Sequence, residues 1–235
     1  MKAISRLIII LAPMLVVGVA VLAGLTSCQL ANELLSTPTP APRNAWLSEW
    51  LEKPVCQPPC FLGITPGVTT ITETIQLLSS RSDVQISSSP LAAPDGETNE
   101  LSWFFTTFTL DDGGRIITNE GGTQVSLISI VIGRDQLLTL DEVLNYYGPP
   151  DYVNFTDCRG HECEFQLIYA SSGMTLDFFR PAKVDSNYRH SIDISPDLSV
   201  GKIFFFPPGE EGYKQALRYN PDLLPWNGYT IYKER

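Results

Sequence analysis

The stretch Thr139–Asp151, TLDEVLNYYGPPD, spells out a helix together with both of its ends. Thr139 and Glu142 have the T-x-x-E spacing of a capping box, in which each residue satisfies a backbone N–H near the other. Leu140, Val143, Leu144 and Tyr147 recur at helical spacing and give one apolar face. Gly148 permits a left-handed C-terminal cap, and Pro149 and Pro150 forbid continuation. Sixty-nine residues earlier the chain repeats the signal as Thr70-Ile-Thr-Glu73-Thr-Ile75-Gln-Leu77-Leu78, and at the same offset Val84 maps onto Val153. A helix signal recurring at a fixed offset indicates an internal repeat. The expected fold is therefore α+β, with two tandem repeats of a helix followed by an antiparallel β-meander and the helices packed on one sheet face.

Working outward, repeat one (67–135) is expected to hold a helix at 70–80 and a loop rich in Ser, Pro, Asp and Gly at 87–99. A strand at Glu100–Leu110 follows, then a hairpin turn at Asp111–Gly114 and a returning strand at Arg115–Asn119. Glu120–Gly122 turns again into Thr123–Ile132, where Val125, Leu127, Ile128, Ile130 and Ile132 point mostly inward. Repeat two (136–235) begins with the quoted helix and continues with strands at 163–170, 173–180, 189–194 and 200–206. A final helix at 210–218 and the segment Pro221–Tyr232 close it.

The segment before the repeats reads as an address. Lys2 and Arg6 precede an apolar run from Leu7 to Leu25, interrupted by Pro13 and Gly18, and Leu25-Thr-Ser-Cys28 follows. Residues 1–27 are expected to be a signal peptide, in preference to an uncleaved membrane anchor. Residues 28–44 form a tether whose proline-rich run, Ser36–Pro42, favours an extended and semi-rigid chain. Residues 45–66 hold a short helix, with Trp46, Leu47, Trp50 and Leu51 on one face to dock on the domain body, and a Cys-containing turn. Without residues 1–27 the chain loses Lys2 and Arg6 and no acid, so 16 basic residues become 14 against 26 acidic, a net of −12. So acidic a body is unsuited to nucleic acid, whose phosphates require lysine and arginine.

Leu25–Cys28 resembles a bacterial lipobox, which implies that Cys28 carries lipid (palmitate among its acyl chains) and that the membrane is reached through that anchor. The implied location is the extracytoplasmic face of the cell membrane. Trp46, Trp50, Leu51, Cys56, Cys60, Gly63 and Gly67 also fit W-x-x-x-W-L-x-x-P-x-C-x-x-P-C-x-x-G-I-T-P-G, a pattern similar to one in uncharacterised bacterial lipoproteins. The helix signatures, including Val143 to Gly148-x-Pro150, are similar to those of two groups. These are the small lipoprotein of the outer-membrane β-barrel assembly machine and the β-lactamase inhibitor protein. Both resemblances imply a scaffold or a partner-binding sheet and no enzymatic role. The first repeat departs from the pattern, with Ser79-Ser80-Arg81 in place of the closing G-x-P.

Outside the cytoplasm, Cys56, Cys60, Cys158 and Cys163 form an even set for which disulfides are expected. The C-x3-C and C-x4-C spacings favour local pairs, Cys56–Cys60 and Cys158–Cys163, over a thiolate metal site with His161. No metal or other cofactor is expected. The chain has no G-x-S-x-G, H-E-x-x-H or G-x-x-x-x-G-K, and neither His161 nor His190 sits in a recognisable base position. Asp111 and Asp112 with Asp141 could hold calcium, but DDGG between strands reads as a turn; Asn154-Phe-Thr156 matches an N-glycosylation pattern.

Eleven aromatics fall on the expected strands: Trp103, Phe104, Phe105, Phe108, Phe165, Tyr169, Phe178, Phe179 and Phe204 to Phe206. That exceeds what a single packed face needs, and aromatic anchors dominate interface energetics. Trp103, Phe105, Phe178 and Phe179 are the candidate binding surface, for a protein or a carbohydrate. The function expected is a non-catalytic binding or scaffold module, with a purely structural envelope lipoprotein or an extracytoplasmic enzyme as alternatives.

Overall fold

The computed structural model describes residues 45–52, 54–87, 91–92, 99–106, 113–119, 121–133, 138–217 and 223–234. The expected signal peptide and tether, Cys28, Phe108, Asp111 and Asp112 lie outside the described residues. Both expected capping boxes form. In α2 (Ile71–Ser79), preceded by α1 (Ala45–Glu52), the Glu73 N–H donates to Thr70 Oγ1 at 3.2 Å and the Thr70 N–H donates to Glu73 Oε2 at 2.8 Å. In α3 (Leu140–Tyr147) the same two bonds measure 3.4 and 3.0 Å. Gly148 ends α3 at φ 75° and ψ −170°, a positive-φ but extended conformation rather than the expected left-handed cap. That region is open essentially only to glycine.

The strands do not form two repeats. They are β1 (Val84–Ile86), β2 (Leu91–Ala92), β3 (Asn99–Phe105), β4 (Gly113–Thr118), β5 (Val125–Val131), β6 (Tyr152–Arg159), β7 (Glu162–Tyr169) and β8 (Met174–Pro181). After them come β9 (Lys183–Val184), β10 (His190–Asp193), β11 (Lys202–Phe205), β12 (Leu224–Pro225) and β13 (Ile231–Lys233), with α4 (Glu210–Leu217) following β11. A ten-stranded antiparallel sheet runs β1-β3-β4-β5-β11-β8-β7-β6-β12, with β2 also on β3, and β13-β10-β9 make a second, small sheet.

The expected α+β repeat architecture is thus corrected to a mostly β fold. Two separate meanders would leave β5 and β8 as edges, with rows of unpaired N–H and C=O groups. β11 removes both edges, because Ile203 pairs with Ile130 on one side and with Leu176 on the other. Gly113 and Gly114, expected in a turn, belong to β4, and β6 is a full strand where none was expected.

Strand alternation sets two faces. On the inner face Leu101, Trp103, Phe105, Ile116, Ile128, Ile130, Ile203, Phe205 and Leu176 are buried in one core with Leu78, Leu140 and Val143 of the helices. α1 docks there as expected: the Trp46 ring stacks on Phe105 at 5.0 Å, and Tyr147 donates to the Trp50 carbonyl. Arg81, at the end of α2, ties α1 down by bonding both Glu49 and Asp83, which raises the guanidinium pKa further and lowers that of Asp83. Ile192 and Tyr232 of the small sheet join the same core.

A candidate groove on the outer sheet face

The four expected surface residues do not share a surface. Trp103 is 3 % exposed, Phe105 2 % and Phe178 1 %, whereas Phe179 is 66 % exposed. This is a correction with a simple cause. Trp103 and Phe105 alternate to the helix-covered side, and Phe165 and Phe178 stack on each other at 5.1 Å on that same side.

The open surface is made by the residues in between. Cross-strand partners put Phe104, Gly113, Val131 and Lys202 in one row and Ser102, Arg115, Ser129 and Phe204 in the next, across β3, β4, β5 and β11. Together with Ile117 and Leu127 they line a groove of about 580 Å³. Its trough follows from side-chain size. Gly113 and the two serines are small, and the two phenylalanines stand at opposite corners. The glycines are required: a Cβ on Gly114 would collide with the Trp103 ring and the Ser129 carbonyl, and one on Gly113 with the Trp103 carbonyl.

Electrostatics distinguish the groove from the rest of an acidic chain. Among the described residues its lining includes Arg115 and Lys202 and no carboxylate. Arg115 contacts Glu100 at 3.4 Å with both side chains substantially exposed, so the pair is weak. Lys202 makes no ion pair among the described residues. Beside it in the row lies Asp177, 6 % exposed. Burial pushes its carboxyl up to about 7, against a lowering hydrogen bond from Gln166, and Oδ1 has no partner among the described residues. The row ends in Gln166 and Asn154, which bond each other at 3.4 Å. Asn154 is fully packed away, and its position in β6 is not that of an exposed acceptor.

Both expected disulfides are present. Cys56–Cys60 lies before α2, and Cys158–Cys163 spans directly paired residues of the β6–β7 hairpin. His190 lies beside the latter pair, with Nδ1 on Glu234 at 2.8 Å and Nε2 on the Gly160 carbonyl at 3.2 Å, so both ring nitrogens are engaged. His161 is exposed at the hairpin tip. Asp141 accepts from the Tyr229 hydroxyl and from Asn145.

The sequence reading overlooked Arg115 and Lys202 and left Phe204 out of the candidate surface, although a signal was present. A single cation inside an apolar strand, as in GGRIIT and GKIFFF, marks the solvent face, and its i+2 neighbours share that face. Compared with protein-family models, curated proteins and solved structures, the chain matches none of them.

Proposed function

We propose that the chain is a lipid-anchored, extracytoplasmic binding module that acts without catalysis, with the outer-face groove as its contact surface. The observation that carries this reading is the groove itself: about 580 Å³, walled by apolar side chains and holding a few polar ones. Recognition sites of that size are lined in this way. The lipobox-like Leu25–Cys28 and the proline-rich tether support the anchoring half of the reading. Two local disulfides suit an oxidising compartment.

The binding half is tested by placing a photoreactive amino acid at Phe104 or Phe204 in cells and irradiating. Adducts are expected from both positions and not from Tyr188, which is 85 % exposed and outside the groove. Equal capture at Tyr188 would remove the groove from the account. For the anchor, Cys28→Ala should abolish incorporation of labelled palmitate and leave a larger precursor; normal processing would overturn it.

A further inference from the structure

We infer that the groove accepts a small amphiphilic carboxylic acid, a molecule with an aliphatic or aromatic body and an anionic head. The inference rests on the reading of the groove as a binding surface and adds the chemistry of its ligand. Charge complementarity is the first argument. In a chain with 26 acidic and 16 basic residues, the described residues of the groove lining include Arg115 and Lys202 and no carboxylate. Glu100 is only in a weak, exposed pair with Arg115, so this lining is positive within an acidic body.

The second argument is the position of those cations. Arg115 on β4 and Lys202 on β11 are separated by two interstrand steps, which places their backbones on the order of 10 Å apart. Between and around them the walls are Phe104, Val131, Phe204, Ile117 and Leu127. An acid seated on Lys202 or Arg115 would lay its body across these apolar side chains and remove their surface from water. Glycans would require more hydrogen-bonding groups on the walls than two serines provide, which disfavours an acidic oligosaccharide.

The buried neighbour supports the same conclusion. Asp177 stands next to Lys202 in the row and could neutralise it, but desolvation favours its protonated form. With its carboxyl raised to about 7, Asp177 neutralises Lys202 only in part near neutral pH, and the remaining charge is available to an incoming anion. Arg115 is less committed still, since its contact with Glu100 is exposed and easily exchanged.

The probe is decanoate carrying a diazirine in its chain, applied to the full chain in phosphatidylcholine nanodiscs and mapped by peptide mass spectrometry. Adducts are expected on β3, β4, β5 or β11 peptides, competed by plain decanoate and much less by decanol or decyltrimethylammonium. Lys202→Glu combined with Arg115→Glu should reduce labelling more than tenfold at an unchanged melting temperature. Because both side chains are exposed, this variant is expected to fold, and Lys202→Gln with Arg115→Gln provides a milder second version. Equal competition by decanol, labelling confined to other peptides, or displacement by oligogalacturonate would each overturn the inference. If photoreactive Phe204 captures a partner in cells while decanoate never labels the groove, the binding surface stands and the acid ligand falls. Failure of both experiments removes both.

Discussion

Phe204 and Phe206 are two residues apart and face the same side of the sheet, yet Phe206 is completely buried and Phe204 only partly. The difference lies in what returns over each. After Phe206 the chain turns at Pro207–Gly209 into α4, whose Tyr213 packs with Phe206 and Ile168 and against Leu127 and Tyr152. That covers one end of the outer face. At the other end, over β3, β4 and β5, the groove remains. Composition therefore does not separate core from surface here, since both ends are aromatic. The path of a connection does.

This contrast can be broken most forcefully at the covered end. Phe206→Ala should destabilise by about 3–5 kcal/mol in urea or thermal unfolding, as expected for a large side chain removed from a packed site. If Phe206→Ala and Phe204→Ala cost the same, the two ends do not differ. Asp177→Asn comes next and sharpens the boundary between them. Its carboxyl is raised from 3.8 to about 7, so the folded state holds a proton that the unfolded state has released. The contribution of Asp177 to stability therefore falls as pH rises from about 4 to 7, and the asparagine variant should lack that component. At pH 8 it should be more stable by up to roughly 4 kcal/mol, with little difference at pH 4. Unfolding curves for both proteins across this range provide the check.

Smaller effects concern the helices that hold the inner face. Thr139→Ala and Thr70→Ala should each cost about 0.5–2 kcal/mol through loss of a cap, seen as lower melting temperatures in circular dichroism. Thr139 should be the more sensitive, because its box is half-buried while that of Thr70 is exposed. Glu73 is held below the usual carboxylate range by the Thr70 backbone and hydroxyl, so the exposed cap should weaken as pH falls below about 4.5. Least of all, Arg115→Ala at the open end should change stability by no more than about 0.5 kcal/mol. A larger loss would mean that the groove wall is a structural support.

Much of the local structure was legible because it is written in contiguous residues. T-x-x-E boxes specify helix starts at Thr70 and Thr139, tryptophans at helical spacing specify the docked face of α1, and C-x3-C and C-x4-C specify their own disulfides. The global arrangement was not legible. A capping box describes four residues and is silent about strand neighbours, so its recurrence was misread as two separate units. The groove was missed for a related reason. Alternation within β3 correctly separates Trp103 from Phe104, but only cross-strand register shows that Phe104 lies opposite Gly113 and in line with Lys202. Register between β5 and β11 is a relation between residues far apart in the chain, and no periodicity within either strand encodes it.

The placement of β11 between β5 and β8 also governs the order of assembly. Ile130 must wait for Ile203, which is 73 residues further along the chain. Until Phe205 has been synthesised, neither half of the large sheet has its central neighbour, and two open edges coexist in one molecule. Non-local pairing of this kind slows folding. A chain truncated after β8 would retain most of its strands and lack the seam that joins them, which makes edge-to-edge association its expected fate.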